Sequence, residues 1–67
     1  MKKMFTVYNL MTNEALSFSH FGAAAQHVIK TLDKMAKICP AALQDVREEN
    51  DGIIFEIWEG AQLIMRK

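Results

Sequence analysis

The stretch SHFGAAAQHVIKTLDKMAKIC, Ser19 to Cys39, reads as an amphipathic helix around which the rest of the chain is organised. Phe21, Ala25, Val28, Leu32, Met35 and Cys39 recur at steps of 4, 3, 4, 3 and 4. At about 100° per residue they share one arc, which Ala24, Ile29 and Ala36 widen. The opposite arc carries Gln26, Lys30, Asp33, Lys34 and Lys37, which water or a charged partner can satisfy. Ser19 is placed to cap the first turn. Pro40 restricts Cys39 and cannot continue the hydrogen-bond ladder, so the helix is expected to stop near Ile38 or Cys39.

The flanking segments read as sheet. Before the helix, Phe5 and Val7 alternate with Thr6 and Tyr8, and Leu16 and Phe18 alternate after a polar interruption at Met11 to Glu14, the pattern of a half-buried hairpin. Pairing across that loop sets Val7 opposite Phe18 and Asn9 opposite Leu16. After the helix, residues 40–43 fit either a connecting loop or a first helical turn with proline in its favoured early place. The loop is preferred, leading into a strand from about Gln44, because Asn50-Asp51-Gly52 is a strong hairpin turn and needs two strands. That turn pairs Val46 with Ile57, Arg47 with Glu56 and Glu48 with Phe55.

A second hairpin around Gly60, in the left-handed conformation, pairs Ile57 with Ala61, Glu56 with Gln62 and Phe55 with Leu63. Ile53, Phe55, Ile57, Leu63 and Met65 then face the helix, while Ile54, Glu56, Trp58, Gln62 and Ile64 face away. The expected fold is a two-layer α+β domain over residues 1–67, ordered ββαβββ, with an antiparallel sheet and one helix across one face.

Composition narrows the function. The chain has 67 residues, 51% of them hydrophobic and 24% charged, with zero formal net charge. A chain this short forms one domain with a thin stability margin. Neutral charge disfavours a protein held mainly by nucleic-acid phosphates. The single cysteine, Cys39, forms no internal disulfide and reads as a buried thiol in a reducing compartment. The opening Met-Lys-Lys is followed by an alternating segment and not by the apolar core of a signal peptide, and no stretch approaches a membrane span. The expected location is the cytoplasm.

No catalytic constellation is legible. His20 and His27 lie on one side of the helix but roughly 10 Å apart in rise, too far to share an ion. Ser17, Ser19 and His20 are neighbours in sequence without the third group that would orient a base. The three glycines are isolated, so there is no phosphate-cradling loop. The chain is therefore expected not to be an enzyme and to use no cofactor, metal or small-molecule substrate.

Two surfaces remain. Residues 45–59 hold Asp45, Glu48, Glu49, Asp51, Glu56 and Glu59 against Arg47 alone, an acidic patch opposite the Lys30, Lys34 and Lys37 stripe. Such a dipole steers a basic partner. One helix cannot cover both faces of a sheet, so Ile54, Trp58 and Ile64, with Tyr8 and Leu10, are expected to emerge on the uncovered face as an interface. No family signature accompanies these features. The expected function is non-catalytic protein binding, by docking on a partner, by self-association as a dimer, or both. Size and neutrality match small phage or mobile-element inhibitors of host defence complexes, such as anti-CRISPRs. The alternative is a nucleic-acid-binding regulator using Lys30, Lys34 and Lys37.

Overall fold

The computed structural model describes residues 3–67 and has the order ββααββ. Strands β1 (Phe5–Asn9) and β2 (Glu14–Phe18) precede helices α1 (Phe21–Ile38) and α2 (Pro40–Glu49), and β3 (Phe55–Glu59) and β4 (Gln62–Arg66) follow. The strands form one antiparallel sheet in the order β2-β1-β3-β4. A two-layer α+β architecture is thus present, with α1 packed on β1, β2 and β3.

Helix α1 ends at Ile38 as Pro40 requires. Its start differs: His20 occupies the N-cap and no side chain caps it, so Ser19 does not perform that role. Ala24, Val28, Leu32 and Met35 are buried against Val7, Phe55 and Ile57 from the sheet. The buried arc is narrower than the apolar one, and Ile29 remains 54% exposed. His27 sits at the edge of this core, its ring 5.3 Å from that of Phe18 and 6.5 Å from that of Phe55.

The expected strand from Gln44 is instead α2. Pro40 stands at its first position, where a missing N–H costs nothing, and Ala41, Ala42, Leu43 and Gln44 are strong helix formers. Leu43 is buried and Val46 packs beside it, three residues apart on one face. Asn50-Asp51-Gly52 closes this helix and does not join two strands. Asp51 and Gly52 both have positive φ, and the Gly52 N–H donates to the Arg47 carbonyl at 2.6 Å, the six-to-one bond of a Schellman cap. A hairpin turn and a helix terminus demand the same left-handed backbone, so these three residues are locally ambiguous.

With no strand before it, β3 pairs with β1, setting Val7 opposite Ile57 and Tyr8 opposite Glu56. The first hairpin shifts by two residues, to Val7 opposite Leu16 and Asn9 opposite Glu14. The Asn9 side-chain oxygen accepts from the Met11 and Thr12 amides at 2.9 and 3.2 Å, and Asn13 has φ +60°, which places the loop at residues 10–13. A shift of two keeps every side chain on its face.

Two irregularities do change faces. The amides of Ile54 and Phe55 both donate to the Lys67 carbonyl at 2.9 Å. Two residues opposite one is the geometry of a β-bulge, and it turns both side chains inward. Ile54, expected on the outer face, is 0% exposed in the core. In β4 the register slips between Ile57 opposite Met65 and Trp58 opposite Leu63, leaving Ile64 as the extra residue. Leu63 therefore shares the outer face with Trp58, while Met65 packs on the core. Gly60, with φ +59°, opens a two-residue turn between Glu59 and Gln62, shorter than expected.

These assignments predict an asymmetry between the two isoleucines at the irregularities of β3 and β4. Ile54→Ala should cost about 2–5 kcal/mol in urea unfolding, the usual range for a buried aliphatic truncation. Ile64→Ala should cost under about 1 kcal/mol, because its side chain already meets water.

Candidate functional site: the helix-free face of the sheet

No helix covers the face opposite α1. Pairing and alternation place Ala15 and Ser17 of β2, Thr6 and Tyr8 of β1, Glu56 and Trp58 of β3, and Leu63 and Arg66 of β4 on it. Tyr8 and Trp58 are diagonal neighbours on adjacent strands, two residues out of register on the same face, and their rings meet edge to face with centroids 6.5 Å apart and planes at 87°. Tyr8 stays 42% exposed and Trp58 is half-buried.

Glu56 anchors this pair. One carboxylate oxygen lies 3.4 Å from the Trp58 indole nitrogen, which donates, and the other lies 3.4 Å from Arg66 Nε. The Trp58 contact is long, so it orients the indole more than it holds it. The Arg47 expected opposite Glu56 is on α2, and Arg66 takes that place across β3 and β4. Around these side chains runs a shallow open groove of about 460 Å³ lined by Tyr8, Leu10, Glu56, Trp58, Gly60 and Ala61.

Of the residues singled out from the sequence, the structure brings Tyr8, Leu10, Glu56 and Trp58 together around the groove. Ile54 is withdrawn into the core, and Ile64, though exposed, does not line the groove. The acidic hairpin is dismembered, because its first half is helical. Glu48 and Glu49 are exposed on α2, with Glu48 accepting from the Gln44 side chain at 3.3 Å, and Asp51 belongs to the helix cap. Glu59 pairs with Phe5, on the face opposite Glu56, and lies 3.6 Å from Lys3 Nζ.

Lys30, Lys34 and Lys37 are exposed on α1 as expected. Lys37 is 3.2 Å from Asp33 one turn earlier, which sets a carboxylate within the stripe. Gly60, Ala61, Leu63 and Arg66 were not singled out. The first two have no local signal beyond a turn, and the others depend on a bulge that no pattern of hydrophobicity announces.

Among the described residues no group of three or more His, Cys, Asp or Glu side chains is arranged to hold a metal ion, and no helix is long and apolar enough to cross a membrane. The fold and this face define a small two-layer α+β protein with an open aromatic groove. Comparison with protein-family models, curated proteins and solved structures returns no match.

Trp58 is the only tryptophan, so its emission reports on the groove alone. Acrylamide should quench this emission substantially in the native protein. A buried indole, resistant to quencher until the chain unfolds, would contradict the open face.

Proposed function

We propose that this chain is a non-catalytic protein-binding module whose helix-free face captures an extended segment of a partner carrying a basic residue beside apolar ones. The observation that carries this reading is the Tyr8–Trp58 pair standing at the surface with a carboxylate between β1 and β4. Tyrosine and tryptophan bring large contact area with few rotatable bonds, and such residues dominate interface energetics. Glu56 supplies charge complementarity to an arginine or lysine of the partner, which exchanges with Arg66. The groove is shallow and open, suited to a chain laid across it and not to an engulfed small molecule.

Within this reading the chain acts by occupying a partner's surface, the mode of the small phage and mobile-element inhibitors, anti-CRISPRs among them, that act without chemistry of their own. Its zero formal net charge, with no basic excess to hold phosphates, supports a protein partner over nucleic acid.

The test is a titration of isotope-labelled protein with extended peptides that place arginine or lysine between proline or aliphatic residues, followed by amide shifts. Shifts should concentrate at Tyr8, Leu10, Glu56, Trp58 and Ala61. Trp58→Ala should weaken binding about 30-fold, the scale of an interface hot spot, with the helical circular-dichroism signal unchanged. Shifts confined instead to Lys30, Lys34 and Lys37 on adding duplex or single-stranded DNA, steeply lost with salt, would replace this reading by nucleic-acid binding.

A further inference from the structure

The two edges of the sheet are unlike. An edge strand presents a row of unpaired backbone groups, and proteins that remain monomeric blunt such edges with bulges, proline, lysine or inward charge. Strand β4 carries one of these devices, the Ile64 bulge, and has the charged Arg66 beside it. Strand β2, Glu14-Ala-Leu-Ser-Phe18, carries no proline, lysine or bulge; its one charge, Glu14, is on the Leu16 face but exposed at the strand's first residue beside the loop, leaving residues 15–18 without any such device. Leu16 stands at its centre. It lies on the face that α1 covers, opposite Val7, yet it is 46% exposed because nothing packs beyond the edge.

From these observations we infer that β2 pairs antiparallel with β2 of a second copy of this chain, about a two-fold axis at Leu16, extending the sheet to eight strands. The inference is independent of the aromatic groove, which this pairing leaves open.

The register is self-complementary. A two-fold at Leu16 sets Ala15 opposite Ser17 and Glu14 opposite Phe18, with Leu16 opposite its own copy. No like charges face one another, and the two Glu14 side chains end about 14 Å apart along the strands, beyond the physiological screening length of roughly 8 Å. Helix α1 packs on β1, β2 and β3, centred near β1. At about 4.8 Å between strands the two α1 axes then lie roughly 14 Å apart, wider than the 8–10 Å of packed helices. The helices do not collide, and the furrow between them receives the two Leu16 side chains.

A specific interface takes roughly 800 Å² per partner, whereas the whole described surface is 4678 Å². A five-residue edge with one leucine supplies only part of that area. The dimer is accordingly concentration-dependent and not obligate. It places two Tyr8–Trp58 grooves on one continuous face some 20–25 Å apart, the arrangement that lets a partner with two suitable segments bind bivalently.

The experiment is solution mass by light scattering from about 10 μM to about 1 mM, a range that spans such affinities. The mass should rise from 7.6 kDa toward twice that value. Leu16→Glu, which sets like charges directly opposite at the two-fold, should weaken association at least about tenfold. Ile64→Glu on the other edge should leave it unchanged. A monomeric mass throughout overturns the inference, as does a dimer that survives Leu16→Glu or is lost with Ile64→Glu. Should Leu16→Glu fail to fold, Leu16→Cys in a Cys39→Ser background decides: residues opposite themselves lie within disulfide reach, so mild oxidation should yield a covalent dimer, and its absence overturns the pairing.

Discussion

The structure depends on the burial of one narrow helical stripe, Ala24, Val28, Leu32 and Met35, against Val7, Phe55 and Ile57 of the two central strands. A chain this short has one core and no second layer of helix to spend on the other side of the sheet. Helix α2 extends that core through Leu43 and Val46 without crossing to the opposite face. The radius of gyration is 12.0 Å, above the roughly 10.9 Å of a compact chain of this length, and Ile29 and Ile38 of α1 remain exposed. One covered face implies one uncovered face, and the aromatic groove lies on the latter.

What occupies the uncovered face is then set by where the strands lose regularity. The paired donation of Ile54 and Phe55 to Lys67 takes an isoleucine off the outer face and adds it to the core. The Ile64 bulge moves Leu63 the other way and blunts the β4 edge. Between them stand Tyr8 and Trp58, whose places follow from plain alternation. The outer face thereby keeps its amphipathic rings and exchanges Ile54 for Leu63, so that Tyr8 and Trp58 remain its largest side chains. The β2 edge has no comparable protection, so groove and edge are separate surfaces.

Much of this was legible in order. The α+β class, the end of the central helix at Pro40, the inward Phe5 and Val7, and the outward Tyr8, Glu56 and Trp58 all follow from periodicity, because a period of 3.6 or 2 is a property of a few consecutive residues. The acidic hairpin was not legible, because its strand from Gln44 is a helix. Asn50-Asp51-Gly52 requires left-handed backbone in either case, and the choice depends on whether Leu43 and Val46, three residues apart, bury together on one helical face, as a strand would not allow. Only the packed core distinguishes these alternatives.

The sequence by itself determined the amphipathic helix, the alternation of the strands and the identity of the aromatic pair, since each is written in local spacing and in residue chemistry. Tertiary structure alone decided that β3 lies beside β1, that Ile54 is core, that Leu63 faces outward and that Arg66 meets Glu56. The physical reason is one of range. Bulges and strand partners are chosen by the backbone hydrogen bonds available from distant segments, here the Lys67 carbonyl and the free edge of β1, and neither leaves a mark on the residues near Ile54 that a local pattern can carry.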